Sequence, residues 1–224
     1  MQLNNLLKKI KVFLRPLGKT SFLIKLHQNV NILDVGCGND SPIKTKSILP
    51  NCKYTGLDII NYNQSKDSLK IADSYILTNS KNFANSISGI KGLFDVVIST
   101  HNIEHCEERE LVLNNLCNKV KLGGLIYLTF PSEDTINFPS RNGTLNYYDD
   151  ESHLYTPPNF NKILRVLKQN NIIPIKKSKN YQPLLMRIYG NLIEPFSFLN
   201  NQVYQGTWEK WGFESIIIGK KIIL

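Results

Sequence analysis

Short apolar runs alternate along most of this chain with segments whose apolar residues recur every three or four positions, the pattern of a parallel sheet flanked by helices. Strands are expected over 30–35, 53–58, 68–72, 93–99, 124–130, 172–178 and 214–222, and helices around 42–49, 80–88, 106–120 and 158–170. Before the first strand, Leu3, Leu6, Leu7, Ile10, Phe13 and Leu14 fall at helical spacing, while Lys8, Lys9 and Lys11 lie largely off that stripe. An amphipathic helix over 3–14, ending near Pro16, is therefore predicted. Two stretches, 131–156 and 180–211, follow neither period and are rich in Pro, Asn and aromatic residues. In an open α/β sheet the chain beyond the carboxyl ends of the strands builds the ligand crevice. Both stretches are expected to be insertions on the substrate side.

A hydrophobic fraction of 42% over 224 residues supplies a core that offsets the conformational entropy of one domain, which excludes a disordered chain. No apolar run approaches the roughly 18 residues that cross a bilayer. The N-terminal stretch lacks the uninterrupted apolar core of a secretory signal, and Cys37, Cys52, Cys106 and Cys117 form no CxxC pair. A reduced, cytoplasmic compartment is the expectation. The net charge of +9 first points to an anionic partner, but Lys8, Lys9, Lys11, Arg15, Lys19 and Lys25 place six of those charges in residues 1–27, beside no acid. The body is nearly balanced and shows no basic stripe for a phosphate backbone, so nucleic acid is not the expected partner. Residues 1–27 read as a basic arm on a domain spanning 28–224. The arm is either a cap packed over that domain or a helix resting peripherally on the anionic inner face of a membrane.

The candidate chemistry begins at Asn31-Ile32-Leu33-Asp34-Val35-Gly36-Cys37-Gly38, an apolar strand running into a glycine turn that lets a ligand approach the backbone. A dinucleotide-binding loop would place a third glycine where this chain has Ser41. The segment instead resembles the first motif of class I S-adenosyl-L-methionine (SAM) methyltransferases of the type 11/23 kind, an acid and a spacer before Gly-x-Gly. The resemblance continues in order through Asp58 in Tyr54-Thr55-Gly56-Leu57-Asp58, Asp73 in Ile71-Ala72-Asp73-Ser74, the run Phe94-Asp95-Val96-Val97-Ile98-Ser99, and Leu122-Gly123-Gly124. It implies a Rossmann-like α/β fold: a seven-stranded, mostly parallel sheet with an antiparallel last strand and helices on both faces. It also implies SAM as cofactor, S-adenosyl-L-homocysteine (SAH) as product, and a cofactor site drawn from Asp34, Gly36, Cys37, Gly38, Asp58, Ile59, Asp73, Ser74 and Ser99. In that site Asp34 fixes the amino-acid portion and Asp73 takes the adenine amino group. Asp58 accepts both ribose hydroxyls, as one carboxylate can.

Methyl transfer to an O–H or N–H group needs a held nucleophile, a dry site and a base. His101, His105 and His153 fall in segments expected on the crevice side. His101, Glu104 and His105 stand at i, i+3 and i+4, on one face of a helical start. They are either a base with its orienting carboxylate or, with His153, candidate ligands for a divalent metal; a structural role for the histidines is the third possibility. Glu104-His105 resembles the Glu-His pair that follows the fourth strand in many members of the family. Small-RNA 3′-terminal methyltransferases and ubiquinone-pathway O-methyltransferases carry Glu-x-x-Glu-His there. Here His101 replaces the first Glu, which disfavours Mg²⁺ and leaves Mn²⁺, Fe²⁺ or Zn²⁺. Glu107, Glu108 and Glu110 read as charge in the first turn of the next helix. Tyr147, Tyr148 and Tyr155 read as acceptor-stacking groups or a lid core, Arg141 as a solvated loop residue or an anion anchor, and Trp208 and Trp211 as packing of the second insertion.

Residues 137–150 and 206–215 resemble small methyltransferases found with bacterial surface-glycan biosynthesis enzymes. That resemblance implies O-methylation of a small-molecule or glycan acceptor, a sugar or a small phosphorylated precursor in capsule or lipopolysaccharide synthesis. The alternatives are a metal-dependent RNA 3′-terminal methyltransferase and a non-catalytic SAM-fold subunit of a glycan-assembly complex.

Overall fold

The computed structural model describes residues 10–223. Its single sheet runs in the order β3-β2-β1-β4-β5-β7-β6. The strands are β1 (Asn31–Val35), β2 (Lys53–Asp58), β3 (Ser74–Leu77), β4 (Phe94–Thr100), β5 (Val120–Pro131), β6 (Ile172–Ser178) and β7 (Glu214–Lys221). The first five pair in parallel, and β7 runs antiparallel to both β5 and β6. The expected Rossmann-like topology, antiparallel last strand included, is present. The strand order reverses direction between β1 and β4, and it is beyond the carboxyl ends of such a pair that an open sheet binds ligands.

The helices are α1 (Lys19–Leu23), α2 (Ser41–Lys46), α3 (Lys66–Ile71), α4 (Phe83–Gly89), α5 (Arg109–Lys119), α6 (Phe160–Gln169), α7 (Leu184–Leu199) and α8 (Thr207–Trp211). Successive strand residues point to opposite faces, so neighbouring apolar residues serve two cores. Leu33 and Val97 pack with Ile87, Leu116 and Leu167 on one side. Ile32, Ile98 and Tyr127 pack with Phe22, Leu23 and Leu49 on the other. Covering both faces is what makes these central strands read as unbroken apolar runs.

Two expectations change. The stretch 68–72 lies in helix α3 and its end, because the Ser65 side chain accepts the Ser68 amide at 3.1 Å and caps a helix there; the strand follows at Ser74. The stretch 180–211 contains the 16-residue helix α7. Residues 10–14 are helical, the rest of the helix expected over 3–14 lying outside the described residues. From Arg15 the arm packs on the domain: the Leu17 amide donates to the Tyr181 hydroxyl at 2.9 Å, Tyr127 donates to the Leu17 carbonyl at 3.0 Å, and Phe22 stacks on Tyr127.

Candidate active site

A cleft of about 1130 Å³ opens beyond the carboxyl ends of β1, β2 and β4. It exceeds the usual volume for one small ligand, roughly 300–1,000 Å³, and has room for a donor and an acceptor together. Gly36, Gly38, Asp58 and Ile59 line one end, and Glu104, His105, His153 and Trp208 the other.

At the first end, Gly36 has φ +73°, and a Cβ there would lie 2.6 Å from the Asn102 side chain. Only glycine fits. Asp58 closes β2 with its carboxylate accepting the Ile59 amide at 2.7 Å. Burial pushes this carboxyl up, against the backbone amides of Ile59, Ile60 and Gly38 that favour its charge. Asp34 sits beneath the cleft: one carboxylate oxygen receives Lys19 Nζ at 2.8 Å, Ser41 Oγ at 2.6 Å and Tyr54 OH at 2.8 Å, and the other is buried without a partner among the described residues. The cleft wall in front of it is Lys19 itself. Cys37 is buried, its Sγ where a Gly56 Cβ would stand at 2.8 Å, and Ser99 is buried in β4 and accepts from Asn102. Asp34, Cys37 and Ser99 therefore back the site without lining it.

Asp73 and Ser74 are corrected. They begin β3, at the amino end of the sheet, and the Asp73 carboxylate is held by Lys46 Nζ at 2.7 Å and the Tyr54 amide at 2.7 Å. The segment past the carboxyl end of β3 contributes Ser80 and Lys81 to the cleft instead, followed by Phe83 and Ala84. Placing the third strand six residues later would have found them. No spacing rule pointed to Lys19, whose site role comes from α1 folding back over Asp34.

At the acceptor end the expected common face does not form. His101 adopts φ +47° and is turned toward β7. Its Nδ1 faces Glu104 Oε1 at 3.2 Å, its Nε2 faces Glu214 Oε1 at 3.0 Å, and Glu214 Oε2 continues to Arg15 at 3.2 Å. Burial opposes these charges, but the pairing prevails, raising the His101 imidazolium to about 10 and lowering Glu214. With both nitrogens engaged, His101 is neither a free base nor a metal ligand.

His105 and His153 converge with Glu104 instead, one ligand-type atom from each lying within 4.8 Å of the others. The tautomers follow from the acceptors around them. Ser152 spends its hydroxyl proton on Asp150 Oδ1 at 2.5 Å, so Ser152 Oγ, 3.0 Å from His105 Nδ1, accepts, as does the Ser152 carbonyl at 3.1 Å. His105 Nδ1 thus carries the proton, and Nε2 keeps its lone pair in the neutral ring. His153 Nδ1 likewise donates to the Tyr147 carbonyl at 2.5 Å. Burial outweighs that carbonyl and Glu104 and pulls the His153 imidazolium down. Glu104 Oε2 is buried with no partner among the described residues, a cost that a donor or a cation would relieve.

The surrounding candidates sort by the same geometry. Trp208, expected to pack, lines the cleft, stacks on Phe213 at 4.3 Å and donates to the Thr144 carbonyl at 2.8 Å. Tyr147 is buried with its hydroxyl on the Leu154 carbonyl, whereas Tyr148 and Tyr155 are exposed away from the cleft. Arg141 is buried on Glu194, Nη2 to Oε1 2.7 Å, and is neither solvated nor facing an acceptor. Glu107, Glu108 and Asp150 give the acceptor rim an acidic character. The first insertion supplies Gly143, Thr144, Ser152 and Leu154 to the wall; the second supplies only Trp208.

The sequence matches the family described as methyltransferase domain over residues 6–169. No curated protein matches it. Solved structures with the same fold include an O-methyltransferase family protein from Burkholderia thailandensis, at 13% identity and TM-score 0.56, covering 90% of this chain and 54% of that one. A chain of the Haloferax volcanii complex between the Trm112 methyltransferase activator and a methyltransferase aligns at 11% identity and TM-score 0.62, over 96% and 94%. The 1,6-didemethyltoxoflavin-N1-methyltransferase of Burkholderia thailandensis, with its substrate and S-adenosylhomocysteine bound, aligns at 11% identity and TM-score 0.53, over 87% and 72%. At such identities the likeness is one of fold, and this chain spans about half the length of the first of them.

Proposed function

This chain belongs to the methyltransferase-domain family, and from that premise we propose that it is a SAM-dependent enzyme that methylates a hydroxyl group of a small, uncharged polyol, a sugar in its simplest form. The observation that carries this reading is the convergence of His105, His153 and Glu104 at one end of a cleft whose other end is a glycine turn with Asp58. The residues fit the cofactor: Asp58 is placed for two vicinal hydroxyls, Lys19 for a carboxylate, and Gly36 and Gly38 for close approach of the ligand to the backbone. When bound, SAM supplies an electrophilic methyl group on a sulfonium. The chain's own part is to accept the hydroxyl proton at His105 Nε2, orient the acceptor with Glu104 and His153, and exclude water with Trp208 and Leu154. The acidic rim of Glu107, Glu108 and Asp150 repels a phosphorylated acceptor, which favours the uncharged sugar of the two expected classes. A capsule or lipopolysaccharide setting rests on the sequence resemblance of residues 137–150 and 206–215.

Isothermal titration with SAH tests the site. Asp58→Ala is expected to weaken binding roughly 10²- to 10⁴-fold, the worth of two charge-assisted hydrogen bonds, and undiminished binding would remove the assignment. Conversion of SAM to SAH with a sugar acceptor excludes the non-catalytic alternative.

A second reading, metal-assisted transfer at the same end, is favoured by the convergence of one ligand-type atom each from Glu104, His105 and His153. Glu104, His105 and His153 would hold the ion, and His101, fixed between two carboxylates, would not. It predicts that chelation abolishes turnover and that Mn²⁺ or Zn²⁺ restores it. The metal-free base predicts turnover indifferent to chelation.

A further inference from the structure

Among the described residues, nothing covers the apolar face that helix α7 turns outward. Leu184, Ile188, Leu192, Leu199, Leu185 and Phe196 fall within about 120° of one another at 100° per residue, and each is between 41% and 78% exposed. Met186, Gly190 and Ser197 fill the opposite, buried side. A contiguous apolar patch of this kind on a folded protein marks an interaction surface. The charges on α7 are arranged to match an anionic partner. Its acid, Glu194, is turned inward onto Arg141 at 2.7 Å and Lys210 at 3.1 Å, while Arg187 at the edge of the apolar face is exposed and has no ion pair among the described residues.

The basic arm abuts the same elements. Arg15 pairs with Glu209 of α8 at 2.9 Å, and Leu17 bonds Tyr181 just before α7. Of the arm's six cations over residues 1–27, Arg15 and Lys19 are held by Glu209, Glu214 and Asp34; the other four, Lys8, Lys9, Lys11 and Lys25, have no acid beside them in the arm, which also exposes Ile10 and Phe13. A second copy seated on α7 would bring two such arms together, whereas an anionic surface complements the arm and α7 at once. An anionic bilayer offers both that charge and an apolar layer.

We infer that α7 and the basic arm dock the protein on an anionic lipid bilayer, with the apolar face of α7 sunk into the interface. The helix lies in that plane. Its 16 residues reach only about 24 Å against a hydrocarbon core of ~30 Å, and no described helix is long and apolar enough to cross a membrane. The Arg141–Glu194 pair ties α7 to the loop that supplies Gly143 and Thr144 to the acceptor end of the cleft.

Sedimentation of the full chain with vesicles tests this, using phosphatidylcholine alone and phosphatidylcholine with about 30% phosphatidylglycerol. The wild type is expected to pellet with the anionic vesicles, and about 0.5 M NaCl to release much of it. The triple substitution Ile188→Glu, Leu192→Glu, Phe196→Glu is expected to lower the bound fraction at least ~10-fold, with SAH affinity and the circular dichroism spectrum unchanged because all three side chains are exposed. Wild type that ignores both vesicles, or a folded triple variant that binds as wild type does, overturns the inference. A dimer by light scattering that the triple variant dissolves, without vesicle binding, assigns the face to a second copy instead.

Discussion

Replacement of His105 by alanine is expected to lower kcat by about 10²- to 10⁴-fold, the usual worth of a positioned general base, while SAH affinity stays within about twofold of wild type. The expectation follows from the proton inventory around Ser152. That serine has one hydroxyl proton and places it on Asp150, so both its oxygens accept from His105 Nδ1 and Nε2 is left as the only basic atom of the ring. His105 lies at the acceptor end of the cleft, away from the glycine turn, and its loss removes nothing that holds the cofactor. Initial rates with saturating SAM separate the two ends of the site: kcat should fall with little change in the KM for SAM. A variant that keeps wild-type turnover per folded molecule would return His105 to a structural role, and one that loses SAH affinity in parallel would place it against the wrong ligand.

The order of strands was legible because parallel strands buried on both faces are continuous apolar runs, as in Val96 to Ile98 and Ile126 to Leu128. The glycine turn was legible for a related reason: a positive φ at Gly36 and a side chain packed against it leave no other residue possible. What failed was local. Leu69, Ile71 and Ala72 present a short apolar run that suits a strand or a helix, and the Ser65 cap, a single side-chain hydrogen bond, decided for the helix. That slip carried Asp73 to the wrong end of the sheet. The acceptor side was only half legible, since His101, Glu104 and His105 do share a helical spacing. Their partners Glu214 and Ser152, distant in sequence, pull the two imidazoles apart. Helix α7 escaped notice because no side chain caps its start and two poor helix formers, Gly190 and Pro195, lie inside it.

Arg141→Ala is expected to cost about 2–4 kcal/mol of stability, near the lower edge of what breaking a buried ion pair costs, and to lower Tm by roughly 5–15 °C for a chain of this size. Arg141 is 3% exposed. Its fork donates to both Glu194 oxygens, at 3.1 and 2.7 Å, and to Ser197 Oγ at 2.6 Å. Alanine leaves those acceptors buried with only Lys210 and the Trp211 indole, 3.1 and 3.2 Å from Glu194, to compensate. Lysine keeps the charge but cannot reproduce the two-pronged contact, so Arg141→Lys should recover only part of the loss. The acid side of the stability curve gives an independent check. Burial raises the Glu194 carboxyl, but Arg141, Lys210 and Trp211 outweigh it and hold the group below its ordinary value of 4.5. A depressed carboxyl stabilises the fold above its unfolded pKa and ceases to as pH falls through the folded one. The gap in stability between wild type and Arg141→Ala should therefore be full near neutrality and narrow below pH 4.5. At temperatures where both are folded, the KM for the acceptor should not change, because Arg141 does not line the cleft. A raised acceptor KM with an unshifted Tm would instead make Arg141 the anchor of an anionic acceptor, and the assignment of an uncharged sugar would fall with it.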